Sequence, residues 1–592
     1  MYNVKSKLSF TLLKIVFFGC YMDIIIKNAK IVNVFTGKIE RGEVGISDGK
    51  IVAISEKINF TEQTKEKNYK VEKKPKTIDA DGKYLIPGLI DSHVHIESSY
   101  MIPTTLAPLL ISCGTTTIIA DPHEITSVLD IKGILYMFEE AKRTKLRIYF
   151  TMPYRILKKL MDEGYYKNYS RSIIGLGEVS PYLFPTEEEY IEACNFAKEN
   201  GFIIEGHLGA NYSDRRLDEA AYLGVSSCHE SISQEEALKK LERGITLIVR
   251  EGSAAKNLED ILTNIKSKVK DARNMLFGTD DLEVIDIFSK GHIDNCLRKA
   301  VKVGLDPVEA IQMATINAAK HFKLDDKIGS IAPGKIADLV LMNNLSDFKT
   351  ETVMIEGNVI YESGKFRHRL RKAQIPYYLL DSIKVERKLE PKDFKIKVSE
   401  SCKEAIVKVI GAIDGQITSK FIKAKLKVKG GNVLRNLEND ILKIAVIDRY
   451  KPEGKVTVGF INSFCMKKGA IATSIAHDEH NILVVGATDE DMALAANEII
   501  EMQGGLVVVN DGKVLASVNL PIAGLMTNQG PVELQKDVFN LHKEAEKLGI
   551  GLHSPFMTLS FLCLPIPELK IDTKGILDVY KGKYVSPIES CN

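Results

Sequence analysis

A chain of 592 residues, 45% of them hydrophobic and 27% charged, can bury large cores, and its composition is neither that of a disordered chain nor that of a polytopic membrane protein. Its 80 Lys and Arg nearly balance 78 Asp and Glu for a formal net charge of +2, so the totals announce no strongly basic face for nucleic acid. Nine cysteines without a C-x-x-C pair speak against a zinc ribbon, a thioredoxin-like redox site or a disulfide scaffold, and fit a reducing cytoplasm.

Residues 1–21 carry lysines and then an apolar run ending at Cys20, which superficially resembles an export signal. Lys14 interrupts that run, it is too short to span a bilayer, and Phe17 and Phe18 precede Gly19 where small residues would be needed for cleavage. The segment is expected to be a disordered leader or a mis-assigned start, with Met22 opening the first strand and no membrane partner. Residues 22–86 alternate apolar and polar positions around turns at Thr36-Gly37 and Asp48-Gly49, as an antiparallel sheet does. The lysine-rich stretch within 57–77 reads as a solvated loop.

From Tyr84 onward, short apolar runs alternate with amphipathic helical stretches, with strand cores near 85–95, 115–123, 147–153, 173–180, 202–208, 224–230, 245–252 and 275–281. Eight such units predict an α/β chain built on a (β/α)8 TIM-type barrel over 87–327. A second strand-rich stretch after the barrel, within 328–375, is expected to join 22–86 in one small flanking β domain. Beyond the charged segment "KVERKLEPKDFK" the pattern changes to a separate C-terminal α/β domain, 380–592.

Most barrel runs end in a polar or acidic cluster, and active sites of such barrels sit at the carboxyl ends of the strands. His93 and His95 are one residue apart on a strand, so both imidazoles leave the same face. H-x-H alone is a weak signal. It gains weight because the fourth run ends with Glu178, the fifth with His207, the sixth with His229 and the eighth with Asp280. Each has an ordinary alternative: a salt bridge for Glu178, satisfied core imidazoles for His207 and His229, a helix cap for Asp280. All six at strand ends together favour a metal site. Six candidate ligands exceed what one ion uses, so the expected centre holds two divalent ions bridged by Glu178 and a hydroxide, with Asp280 moving the proton in a hydrolysis or deamination.

"PGLIDSHVHIESS", with single histidines after strands five and six and an aspartate after strand eight, resembles the amidohydrolase superfamily. Many members place a carboxylated lysine after strand four, where this chain has Glu178. That departure, with "IIADPHEI", "REGSAAKNL", "FGTDDLEVIDIFSKGHID", "SIAHDEHNILVVG" and "LPIAGLM", makes almost the whole chain after Met22 similar to the bacterial adenine deaminase family. The resemblance implies a cytoplasmic enzyme of purine salvage that hydrolyses adenine to hypoxanthine and ammonia, with Mn2+ or Fe2+ as the two ions. A homo-oligomer, a dimer above all, is expected. A cyclic amidohydrolase of the dihydroorotase or hydantoinase type would use the same six ligands and is the alternative.

Further mouth residues are candidates for substrate binding. His123 and Glu124 close the second run, against a helix cap or surface pair as the plainer reading. Arg250, Glu251 and Ser253 end the seventh run, where a structural Arg–Glu pair is equally credible. Asp281 orients a neighbour or the substrate. His292 reads as a surface residue and Cys228 as a buried thiol. Near the C-terminus, "AHDEH" clusters His477, Asp478 and His480, expected to cover the barrel mouth or else to form a structural turn.

Overall fold

The computed structural model describes residues 22–58, 74–209, 212–368 and 374–592. The expected leader, 1–21, and most of the lysine-rich stretch lie outside these residues.

The barrel strands are β1 (Leu89–Val94), β2 (Thr115–Ala120), β3 (Arg147–Met152), β4 (Ile173–Val179), β5 (Ile203–Gly206), β6 (Ser227–Cys228), β7 (Thr246–Arg250) and β8 (Met275–Gly278). Each pairs in parallel with its sequence neighbours, as helical crossovers between consecutive strands require. The outer strands β1 and β8 meet at their carboxyl ends, where the Asp280 N–H donates to the His93 carbonyl at 2.9 Å and the His95 N–H to the Asp280 carbonyl at 3.2 Å. Residues singled out as ligands therefore also close the ring. Toward the amino ends, Ile90, Ile119, Ile203, Ile248 and Leu276 pack together with Phe322.

The crossover helices begin where local chemistry satisfies their free amide groups. The hydroxyls of Thr186, Ser213 and Ser233 accept from the backbone N–H groups of Glu189, Arg216 and Glu236, three residues on in each case. Acidic residues fill the first turns after Thr186 and Ser233, complementing the helix dipole.

Among the described residues, three further sheets accompany the barrel. In the first, Tyr84–Pro87 lies between Ile24–Asn33, to which it is parallel, and Leu339–Met342, to which it is antiparallel, so chain from before and after the barrel shares one sheet. The C-terminal region carries a ten-stranded sheet with helix Asp489–Glu501 packed on it, and a three-stranded sheet over Leu569–Val585. Its final strand, Ile588–Cys591, pairs with Glu404–Ala412, and Cys402 and Cys591 form a disulfide across a sequence separation of 189 residues. The scattered cysteines announced no such bond, because strand register brings these two together over a distance that motif spacing does not report. Among the described residues no helix is long and apolar enough to cross a membrane.

Candidate metal centre

His93 lies within β1 and His95 just beyond it, and their Nε2 atoms approach to 3.1 Å. Glu178 projects from the end of β4 in the left-handed region, φ 51°, and Asp280 follows β8 at φ 58°. These are conformations that non-glycine residues adopt sparingly and that cluster at functional sites. Glu178 Oε1 stands 3.6 Å from His93 Nε2, 3.4 Å from His95 Nε2, 3.4 Å from His207 Nδ1 and 3.3 Å from His229 Nε2. Asp280 Oδ1 is 3.6 Å from His93 Nε2 and 3.2 Å from His95 Nε2. One carboxylate oxygen thus faces four imidazole nitrogens contributed from the carboxyl ends of three strands.

The electrostatics match that geometry. Burial alone would raise the Glu178 carboxyl, yet His123 and His207 beside it hold it well below the usual carboxylate range. Asp280, also buried, is held low by His93, His95 and Arg250. Burial would lower His95, but Asp280 and Glu178 push it well above the ordinary imidazole value. His207 is likewise pushed up to about 9, against the effect of burial, by Glu178 and Glu230. A buried set of ionised carboxylates that strongly prefers cationic neighbours is what a divalent ion would satisfy.

The donor atoms fit such ions as well. His207 Nδ1 and His229 Nε2 are buried without a hydrogen-bond partner, an unfavourable situation unless something else binds them. Candidate ligand atoms group as His93–His95–Asp280, His93–Glu178–His229 and His207–His229–Glu230, each group within 4.8 Å. Imidazole and carboxylate donors converging in this way suit first-row divalent metals.

The C-terminal region reaches this mouth. His123 Nε2 lies 3.4 Å from Asp478 Oδ1, and its Nδ1 lies 3.7 Å from Glu178 Oε2. Glu124, 1% exposed, faces His477 Nδ1 at 3.1 Å and His480 Nε2 at 3.6 Å.

Residues 84–360 match the amidohydrolase family profile and residues 416–583 that of the adenine deaminase C-terminal domain. The adenine deaminase of Desulforamulus reducens is 37% identical over 583 residues, covering 96% of this chain and 96% of that one. That of Kosmotoga olearia is 37% identical over 578 residues, 95% of this chain and 96% of its own. The chain belongs to the adenine deaminase family. Membership in the amidohydrolase family carries divalent-metal binding with it, and the His, Glu and Asp side chains just described could hold such an ion.

Other candidates take different places. Arg250, 2% exposed, donates through Nη1 to Asp280 Oδ2 at 2.9 Å and to Glu230, so it braces a proposed ligand. Glu251 faces away and pairs with Lys299 at 2.8 Å on helix Ile293–Lys302, because adjacent strand residues point to opposite sides. Ser253 accepts the Glu283 N–H at 2.9 Å and donates its own N–H to the Asp281 carbonyl at 2.8 Å, tying the loops after β7 and β8. Asp281 accepts from the Ser98 hydroxyl and is pushed up to about 6 by burial and by Asp280. His292 is not a surface residue: it is 2% exposed, with Nε2 3.0 Å from Asp91 and Nδ1 2.8 Å from the Thr115 hydroxyl. Cys228 is fully buried, its thiol facing the Leu208 carbonyl.

Sequence reasoning missed Glu205, Asp121, Glu230 and Lys240. Asp121 follows β2, and its carbonyl oxygen lies 2.9 Å from His95 Nδ1. Lys240 is buried beneath two ligand loops and donates to the Leu208 carbonyl at 2.7 Å, the Glu230 carbonyl at 3.1 Å and the Ser231 hydroxyl at 3.0 Å. The available signal for the carboxylates was position: Glu205 interrupts an apolar run two residues before His207, and Glu230 adjoins His229.

Proposed function

We propose that this chain deaminates adenine by hydrolysis, adenine plus water giving hypoxanthine plus ammonia. The observation that carries the reading is the joining of the two family-matched parts at one mouth, where His477 and Asp478 stand 3.1 Å and 3.4 Å from Glu124 and His123, beside the Glu178 cluster. Two divalent ions, manganese or iron, would be held by His93, His95, Glu178, His207, His229 and Asp280, and when bound they lower the pKa of a shared water so that hydroxide is available near neutrality. Asp280, ionised and braced by Arg250, accepts the nucleophile's proton and passes it toward the purine ring nitrogen or the departing amine. Attack at C6 makes that carbon tetrahedral, and protonation of the amine lets it leave as ammonia. His123, Glu124, His477, Asp478 and His480 form the wall against which the base is positioned, with hydrogen-bond donors and acceptors for its edge.

Protein reconstituted with Mn2+ or Fe2+ is expected to release ammonia from adenine with the matching ultraviolet change, and not to open the ring of dihydroorotate. Ring opening of dihydroorotate without adenine turnover would favour a cyclic amidohydrolase instead. Replacing His477 by alanine is expected to lower adenine turnover by roughly 10–100-fold, as loss of a positioning contact does. Steady-state rates indistinguishable from the parent would remove His477 from the substrate wall.

A further inference from the structure

His93 and His229 share one ligand group with Glu178, and each also belongs to a second group, His93 with His95 and Asp280, His229 with His207 and Glu230. Their rings stack at 3.9 Å between centroids with planes 13° apart. Beneath the pair sits Glu205, fully buried on β5, and a single oxygen, Oε1, lies 2.8 Å from His93 Nδ1 and 2.9 Å from His229 Nδ1. His229 Nδ1 hydrogen-bonds to that oxygen while His93 Nδ1 lies at ion-pair distance from it, and both rings place Nε2 toward Glu178, whose Oε1 is 3.6 Å and 3.3 Å away. A carboxylate beside Nδ1 holds the proton there and leaves the Nε2 lone pair free for a metal, fixing both tautomer and ring orientation. Carboxylates that do this commonly serve one histidine. Here one oxygen lies beside two.

We propose that Glu205 is a positioning residue common to the two cation sites, so that its loss weakens both. The inference rests on the reading of two ions at this centre. Removing Glu205 frees the Nδ1 proton of both rings together, so each ring can take the tautomer with its proton on Nε2, which cannot ligate. Both sites are thereby weakened. The negative charge of Glu205, beside both His93 and His229, would also favour cations held by those rings, a contribution that a neutral amide of the same shape lacks.

The test is metal binding measured by competition with a coloured chelator and by the electron paramagnetic resonance of free Mn2+, on the full-length parent, Glu205→Gln and Glu205→Ala. The parent is expected to hold two Mn2+ per chain. Glu205→Ala is expected to weaken both ions by about 10–100-fold, the effect usual for losing an outer-shell partner, with Glu205→Gln between it and the parent because the amide oxygen still accepts. A Glu205→Ala protein that keeps both ions at parental affinity overturns the proposal, and so does one that loses a single ion while the other is unchanged. Should the alanine variant fail to fold by circular dichroism, the amide variant decides by the same criteria. A parent that binds fewer than two ions refutes the two-ion reading itself and is distinguishable from either result.

Discussion

Replacing Glu178 by alanine is expected to lower adenine turnover by at least about 10^4-fold, close to 5 kcal/mol of barrier at 1.36 kcal/mol for each factor of ten. Its Oε1 is the one atom that faces His93, His95, His207 and His229 together, so its removal takes away the proposed bridge between the ligand groups and the anion that all four imidazoles share. The effect should appear in kcat rather than in KM, because the carboxylate is asked to act on the reacting centre and not on the purine's outer edge. Ammonia release and metal content measured on the same preparation separate its two contributions. A Glu178→Ala enzyme within tenfold of the parent would contradict its place at the reaction centre.

The second large effect is expected from one methyl group. A Cβ built on Gly177 would lie 1.6 Å from Asp121 Oδ2 and 2.7 Å from Thr151 Oγ1, far inside contact distance. Asp121 is fully buried and occupied: it accepts from the His123 N–H at 3.1 Å and the Thr151 hydroxyl at 3.1 Å, while its carbonyl oxygen faces His95 Nδ1. Gly177→Ala must move that carboxylate or the strand, and either displacement reaches His95 and His123 along with the adjoining Glu178. We expect a stability loss of about 2–5 kcal/mol from overpacking plus a disturbed buried carboxylate, together with a fall in adenine turnover beyond what the unfolded fraction explains. Thermal unfolding with and without Mn2+, set beside the specific activity of the folded protein, reads both. A variant that unfolds at the parental temperature with parental activity would show that the site yields at no cost.

The proposed ligands were legible because each is a polar residue closing an apolar run, and apolar runs announce barrel strands whatever the function. Glu205 was hidden by the same logic: it lies inside the run "FIIEGHLG" rather than at its end, and inward-facing polar residues are counted as exceptions until their partners are known. Arg250 and Glu251 read as a pair because they are adjacent, but strand geometry sends one to Asp280 and the other to Lys299. His292 follows an exposed-looking stretch but is buried, its partners Asp91, about 200 residues earlier and 3.0 Å from Nε2, and Thr115 lying far off in sequence. The contacts of His477 with Glu124 and of Asp478 with His123 span more than 350 positions, a distance at which local pattern says nothing about proximity. Local chemistry was readable; the partner across the fold was not.

The pairing of Tyr84–Pro87 with Leu339–Met342 has a consequence for the growing chain. Tyr84–Pro87 can find Ile24–Asn33 soon after leaving the ribosome, but its other neighbour follows about 250 residues later, on the order of 10–50 s at ordinary rates of synthesis. Throughout that interval a strand edge with unpaired amide and carbonyl groups stays open, and such edges recruit strands from other chains. The barrel is the stretch made in between, so translation stalled within it would leave a nascent chain with a template for aggregation at its beginning. Expression of this enzyme should therefore be more sensitive to pausing between positions 88 and 338 than to pausing in the C-terminal region.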